Sequence, residues 1–241
     1  MTLTCLGSSS AGNCYLLQAD NGETLILDCG ISIKEIKKGL NWDIRGVVGA
    51  ICTHSHQDHS KSVKDLNNMG IPVYAPYISQ KPMAIGSGAF KIQSFDLTTV
   101  DGRWTHTNAD GTECHCYGFL ITHKEMGKFL YITDTELIKW RFKDINHILL
   151  GVNYDKDLVD TDNPKANHVF RGHLSIDTAC DFVKANDSDS LQNVIMCHLS
   201  SENADKDSFI AKMKNAVNGA NVDVAERGKS WILQNQNSCP F

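Results

Sequence analysis

Thr53-His54-Ser55-His56-Gln57-Asp58-His59 carries three histidines and one aspartate, and it comes shortly after the apolar run Val47 to Ile51. The run predicts a buried strand that ends in a loop of metal ligands. Imidazole and carboxylate suit zinc and its divalent neighbours. Ligands two or three residues apart on a loop can turn toward different ions. The first two histidines can therefore hold one metal, while the aspartate and the last histidine reach a second. The alternative is a histidine-rich surface loop without a ligand role.

Two ions need more ligands than this loop supplies, and three further candidates follow predicted strands. His106 comes after Arg103 to Thr105, Asp134 after Lys128 to Thr133, and His198 after Asn193 to Cys197. Open α/β architectures build their sites at the carboxyl ends of strands, where loops converge on one crevice. The three residues are therefore predicted to complete the metal site.

The order of these ligands resembles the metallo-β-lactamase-fold hydrolases, whose hallmark is H-x-H-x-D-H followed by a lone histidine, a lone aspartate and a final histidine. His106 lies 47 residues after His59, Asp134 follows 28 residues later, and His198 another 64. Thr24 to Gly30 is similar to the family's strand ending in Asp-x-Gly. The resemblance covers residues 3–235. It implies an α/β fold, a four-layer αββα sandwich, in one domain spanning residues 1–241.

Three shorter motifs narrow the resemblance to the phosphodiesterase branch of the family. Gly7 to Cys14, Gly172-His173-Leu174-Ser175 and His198-Leu199-Ser200 resemble the YycJ-type exonucleases. Other relatives in this branch are the tRNA 3′-processing nucleases and the phage anti-Pycsar enzymes, which destroy cyclic nucleotides. The resemblance therefore implies hydrolysis of a phosphodiester.

The family pattern also implies which residue holds which ion. The first metal is assigned to His54, His56 and His106. The second is assigned to Asp58, His59 and His198, and Asp134 bridges the two. The implied cofactors are two divalent ions, zinc first and manganese as the alternative. Such a pair lowers the pKa of bound water toward ~7, so that hydroxide is present at neutral pH. Asp58 is placed to steer its proton.

Other residues are predicted to act on the substrate. His173 precedes a helix whose cap is Ser175, and the resemblance gives it the role of a phosphate contact or of the acid that protonates the leaving group. The alternative is a capping or core histidine. The predicted substrate contacts are Ser9, Asn13, His173, Ser200 and Asn203. For the loop from Gly7 to Asn13, a plain turn is the alternative.

Cys114-His115-Cys116 also invites a metal interpretation. Alternate residues on a strand point their side chains to one face, and the sequence shows no partner pair for the two cysteines elsewhere. Free cysteines are often simply buried. Structural packing is therefore the preferred interpretation.

The charge of the chain helps to predict the class of its substrate. The net charge is −5 with a pI of about 6.0, and Lys34, Lys37 and Lys38 form a dense basic group, spaced as on a solvated helix face. Proteins that track nucleic acid usually carry a basic stripe. The composition therefore favours a cyclic nucleotide as substrate. A 5′-to-3′ DNA exonuclease is the alternative, and a glyoxalase-like thioesterase or lactonase is more remote.

The remaining composition is that of a globular protein, with 41% hydrophobic and 21% charged residues. The start shows no signal peptide, and no apolar run approaches the ~20 residues of a membrane span. The nine cysteines indicate reduced thiols and a cytoplasmic location. The expected partner is a nucleotide or nucleic-acid substrate. No membrane association is expected, and a homodimer is left open. Helices are predicted over 32–39, 60–69 and 205–217 and from Ser175 onward.

Overall fold

The structure is a computed structural model that describes residues 1–79, 88–108, 110–160, 162, 169–170 and 172–235. Its contacts divide the chain into two compact units. The first unit consists of residues 1–93, 121–127 and 225–241, and the second of residues 94–120 and 128–224. The prediction of a single domain stays a prediction.

Fourteen strands and five α-helices are found in the described residues. The strands are β1 (Thr2–Gly7), β2 (Cys14–Gln18), β3 (Thr24–Leu27), β4 (Val47–Ile51), β5 (Val73–Tyr74), β6 (Lys91–Asp96), β7 (Thr99–Val100), β8 (Arg103–Trp104), β9 (Tyr117–His123), β10 (Gly127–Ile132), β11 (His147–Gly151), β12 (Asn193–Cys197), β13 (Asn221–Val224) and β14 (Ser230–Ile232). The helices are α1 (Ile33–Gly39), α2 (Gln57–Ser60), α3 (Val63–Asn68), α4 (Ile176–Asn186) and α5 (Lys206–Lys214).

The first unit is built on a six-stranded sheet in the order β14-β1-β2-β3-β4-β5. β14, β1, β2 and β3 pair antiparallel, whereas β3, β4 and β5 pair parallel. Because parallel neighbours run the same way, β3 and β4 end at the same edge of the sheet, and the ligand loop starts there. Ile36 of α1 and Leu66 of α3 are buried in the core of this unit.

The second unit contains most of a six-stranded sheet in the order β13-β12-β11-β10-β9-β6. The four strands from β10 to β13 pair parallel, and every residue of β11 and β12 is buried. Continuous burial is expected for parallel strands with both faces covered. Ile176, Ala179 and Val183 of α4 and Phe209 and Met213 of α5 join the apolar core of this unit.

Several predicted elements are confirmed, and two are corrected in their bounds. The helix predicted over 205–217 is α5, which ends at Lys214. α1 occupies the predicted range, and Ser175 caps α4 by accepting a hydrogen bond from Thr178 N. The predicted helix over 60–69 is wrong in its bounds, because two short helices, α2 and α3, replace it. Ser62 lies between them, and its backbone N–H and hydroxyl donate to Cys29 O and Ile31 O. In the part of the chain that the structure describes, no helix has the length and apolarity to cross a membrane.

Candidate metal centre

The ligand loop of the first unit begins directly after β4. His54 and His59 are buried, while His56 and Asp58 are partly exposed. His56 is the N-cap residue of α2, so Asp58 and His59 lie in its first turn. The ligand atoms form two pairs, His54 with His56 and Asp58 with His59, and the atoms of each pair lie within 4.8 Å of each other. This pairing is the one predicted from the sequence.

Asp28, at the end of β3, holds this loop in place. Its Oδ2 lies 2.7 Å from His59 Nδ1, and its Oδ1 accepts a hydrogen bond of 2.8 Å from the Thr53 backbone N–H. The Thr53 hydroxyl also donates to the carboxylate. Asp28, Thr53 and His59 are all fully buried. A carboxylate on one ring nitrogen of a ligand histidine sets the tautomer and ring orientation, and it raises the basicity of the other nitrogen.

The backbone around Asp28 is specialised for this role. Asp28 has a φ of 52°, in the left-handed region that aspartate and asparagine tolerate better than other side chains do. Two residues later, a Cβ on Gly30 would lie 1.6 Å from Asp58 O, so only glycine lets the two segments approach this closely. The Cys29 N–H donates to His59 O at 2.8 Å. The family-like Asp-x-Gly stretch thus clamps the ligand loop.

We expect Asp28→Asn to weaken metal binding by about 10–100-fold, the usual cost of losing an outer-shell partner of a ligand. Asparagine keeps the shape and tolerates the left-handed backbone, so the loss of charge is isolated. Competition with a chelator measures the affinity. Asp101→Asn is the matched control, because Asp101 is exposed and has nearly the same φ of 51°. An unchanged affinity for Asp28→Asn would show that the carboxylate does not support a ligand.

The second unit places its three predicted ligands at strand ends. His106 follows β8, Asp134 follows β10 and His198 follows β12, and all three are buried. Asp134 Oδ1 lies 3.6 Å from His198 Nδ1. Asp134 and His198 have φ values of 48° and 57°, so both occupy the left-handed region. Such backbone conformations cost about 1–3 kcal/mol each and cluster at functional sites.

Each of these ligands has a further contact within the second unit. His106 Nδ1 lies 3.0 Å from Gly172 O, the Thr133 hydroxyl donates to Asp134 Oδ1 at 3.0 Å, and the Asn153 amide donates to His198 O at 2.9 Å. A metal-binding histidine usually donates its other ring N–H to a carbonyl or carboxylate. The contact between His106 and Gly172 fits that arrangement, and so does the contact between His59 and Asp28.

His173 lies among these residues rather than in the core. Its ring stacks on that of His198 with centroids 5.6 Å apart, and it meets the ring of His106 edge-on at 5.4 Å. His173 Nε2 is 4.0 Å from Asp134 Oδ1. The side chain remains 13% exposed, more than Asp134 or His198. A histidine in this position can reach a molecule bound beside the ligands.

The other predicted substrate contacts fall into two groups. Asn13 is buried, and its amide lies 3.1 Å from His59 Nε2 and 3.0 Å from Ser9 O, so both residues adjoin the ligand loop. In the second unit, the Ser200 hydroxyl accepts hydrogen bonds from the backbone N–H of Asn203, and Ser200 N donates to Asn153 O. These contacts organise the turn after His198. Their part in substrate binding stays a prediction.

The donor set of each unit fits a divalent metal. All of these imidazole and carboxylate groups except His56 and Asp58 are buried, and two of them, His59 and His106, have a second hydrogen-bond partner. Burying such groups is costly unless they are paired or coordinate a metal. This arrangement suits the binding of a divalent metal, and the role of each residue as a ligand stays a prediction.

The sequence also identifies the protein family of this chain. A family model, the metallo-beta-lactamase superfamily, matches residues 9–151. The chain belongs to this superfamily. Its fold is the metallo-β-lactamase fold, with two mixed sheets and flanking helices, and the predicted fold class is confirmed. The family match and the ligand groups make the chain a metal-dependent hydrolase.

Solved structures show the same fold across nearly the whole chain. A diphosphatase from the PhnP family is 15% identical, with 97% of this chain and 98% of that chain covered and a TM-score of 0.63. Human tRNase Z, short form, is 14% identical over 96% and 98%, with a TM-score of 0.59. Zn²⁺-bound PqqB from Methylobacterium extorquens is 12% identical over 97% and 100%, with a TM-score of 0.64. No curated protein matches the sequence.

The structure brings three further residues to the predicted ligands. From the sequence, Asp28 has no predicted role, Cys114 is interpreted as packing, and Asn153 is predicted only to line the same crevice as the ligands. Asp28 contacts His59, Asn153 contacts His198, and Cys114 lies beside His106. Asp28 and Asn153 both stand near strand ends, as the ligands do. Their position near strand ends could have indicated a role from the sequence. Only the order of the strands in the sheet shows which ligand each of these two residues contacts.

Proposed function

We propose that the chain is a phosphodiesterase that uses two divalent metal ions and hydrolyses cyclic nucleotides. The observation that carries the metal part is the division of the ligands into pairs. The first unit offers the pairs His54–His56 and Asp58–His59, and the second unit offers His106 together with the pair Asp134–His198. Each unit by itself holds too few protein ligands for two ions, so the proposal joins the two sets.

In this proposal, His54, His56 and His106 hold one ion. Asp58, His59 and His198 hold the other, and Asp134 bridges them. Zinc is proposed first, since imidazole and carboxylate are its usual ligands and the fold also occurs in a zinc-bound protein. When bound, two ions a few ångströms apart supply an activated water and neutralise charge on the phosphoryl group.

The chain's own residues supply positioning and proton transfer. Asp58 has a partly exposed carboxylate and is proposed to orient the attacking water and accept its proton. His173 is proposed to contact the phosphate or protonate the leaving oxygen, because its partly exposed ring lies beside Asp134 and His198. Ser9, Asn13, Ser200 and Asn203 are proposed to contact the rest of the substrate.

Charge supports the choice of cyclic nucleotides. The net charge is −5, and exposed basic residues form short groups, such as Lys34 and Lys38 on α1 and Lys139, Arg141 and Lys143 after β10. A small substrate needs only the ions and a few contacts, whereas a long polyanion is usually held by many lysines and arginines. The 5′-to-3′ DNA exonuclease is kept as the second candidate, because Gly172-His173-Leu174-Ser175 resembles that branch more closely.

We expect the enzyme to hydrolyse cyclic nucleotides with a kcat/KM that changes little between low and physiological salt. The test is a panel of cyclic mononucleotides, cyclic dinucleotides, single- and double-stranded DNA and a β-lactam, measured with added zinc or manganese. A DNA exonuclease would instead lose affinity steeply, with a log–log slope of roughly −0.7 to −0.9 per phosphate contacted.

A charge-reversed variant sharpens this test. Replacing both Lys34 and Lys38 by glutamate changes exposed side chains on α1 and leaves its buried residue, Ile36, intact. Hydrolysis of cyclic nucleotides should be unaffected. Efficient DNA degradation with a steep salt slope, together with inert cyclic nucleotides, would replace the first candidate by the second.

A further inference from the structure

Cys114 and His106 lie opposite each other at the open end of a short hairpin. Thr107 and Glu113 form an antiparallel bridge, and the Cys114 N–H donates to His106 O at 3.4 Å. Residues directly opposite in an antiparallel pair point their side chains to the same face. The hairpin therefore brings a thiol next to a predicted metal ligand, although eight positions separate the two residues along the chain.

The spacing of the two side chains suits a shared ion. The Cys114 sulfur and a ring nitrogen of His106 lie within 4.8 Å, and both residues are buried. With Zn–S and Zn–N bonds of about 2.3 and 2.0 Å, two ligands of one zinc ion lie about 3.0–3.5 Å apart, the shorter distance applying when the ion has more than four ligands. Among the described residues, Cys114 is the sole cysteine grouped with potential metal ligands.

Two other buried thiols, one in each unit, have partners of their own. Cys52 donates hydrogen bonds to His54 O and His59 O, which ties it to the backbone of the ligand loop. Cys116 donates to the Cys114 sulfur at 3.9 Å. A donor on a ligand sulfur is a typical outer-shell contact at metal sites. Cys116 is therefore placed to donate to the Cys114 sulfur, as an outer-shell partner of a metal-bound thiolate would.

We propose that Cys114 is a thiolate ligand of the ion bound by His106, which the proposed function also assigns to His54 and His56. The inference rests on that metal centre and adds one ligand to it. Binding releases the thiol proton to solvent as the metal–sulfur bond forms. A sulfur ligand selects zinc or cobalt over manganese, because manganese prefers oxygen donors. The interpretation of Cys114 as mere packing would then be replaced.

X-ray absorption of the zinc-loaded wild-type protein tests this without any substitution. The expected spectrum contains a zinc–sulfur shell at about 2.3 Å, besides nitrogen and oxygen scatterers. The cobalt-substituted protein should show the ultraviolet charge-transfer band of a thiolate–cobalt bond. Cys114→Ser should lose both signals and bind zinc at least about 10-fold more weakly, since even outer-shell losses cost this much.

Cys116→Ser is the matched control, because it changes a neighbouring buried thiol and keeps a hydrogen-bond donor beside Cys114. It should retain both signals. If wild-type protein binds two ions with no sulfur signal, or if Cys116→Ser rather than Cys114→Ser removes the signal, the Cys114 inference fails and the proposed function stands. If wild-type protein binds no zinc or cobalt, both fail. The wild-type spectrum decides the matter even if Cys114→Ser does not fold.

Discussion

Replacing Asp134 by asparagine is expected to abolish hydrolysis, with kcat reduced by about 10³-fold or more. Asp134 is the proposed bridge between the two ions, and an amide cannot bind both with two anionic oxygens. A catalytic metal supplies several kcal/mol of transition-state stabilisation, and each ~1.4 kcal/mol is tenfold in rate. Metal analysis of the purified variant should find fewer than two ions per chain, and steady-state kinetics should show the loss of turnover.

Asparagine is the informative substitution at this position because of the backbone. Asp134 has a φ of 48°, and asparagine tolerates that conformation, whereas alanine adds strain to the lost contact. Asp144→Asn provides the matched control, since Asp144 is exposed in the same unit with a φ of 54°. Full activity and two bound ions in Asp134→Asn would contradict the bridging role.

The position of each proposed ligand at a strand end was predictable, because each one follows a pattern that is local in sequence. His54 to His59 come after the buried strand β4, and Asp134 and His198 come after β10 and β12. A buried strand has a short apolar run as its signature, and the carboxyl end of the run shows where a side chain can enter a site. The starts of α4 and α5 were equally local, since Ser175 and Asp205 cap them through their own side chains.

The supporting residues could not be predicted, because their contacts depend on which strands become neighbours. Asp28 and His59 are 31 positions apart, and only the parallel pairing of β3 with β4 brings the first beside the loop that carries the second. Cys114 meets His106 through a hairpin whose strands are too short to give a periodic signal. The break between α2 and α3 likewise depends on a distant partner, the backbone of Cys29 and Ile31.

Backbone strain is shared by three of the residues in and around the predicted site. Asp28, Asp134 and His198 all have positive φ values at strand ends, and one is the support of a ligand while two are proposed ligands. Strained residues of this kind persist only where surrounding contacts determine them. Here the contacts are the hydrogen bonds from Thr53 to Asp28, from Thr133 to Asp134 and from Asn153 to His198. The fold thus holds the donors in place through the protein's own interactions.

His173→Ala is expected to keep both metal ions and to lower kcat by about 10²–10⁴-fold, the usual contribution of a general acid. The ring lies against His198 and His106 and 4.0 Å from Asp134, so it can reach substrate without being counted among the ligands. His115→Ala is the control, because His115 is an exposed histidine of the same unit. Loss of metal in His173→Ala would make His173 a ligand and require a new assignment for His198.

Substrates with different leaving groups distinguish the two roles proposed for His173. A general acid matters most when the departing oxygen is a poor leaving group, as in a cyclic nucleotide, and matters little for p-nitrophenolate, which leaves without a proton. If His173 is the acid, His173→Ala should lose far more activity on a cyclic nucleotide than on bis-p-nitrophenyl phosphate. If it only contacts the phosphate, both substrates should be slowed by the same factor, because both present the same non-bridging oxygens to the site.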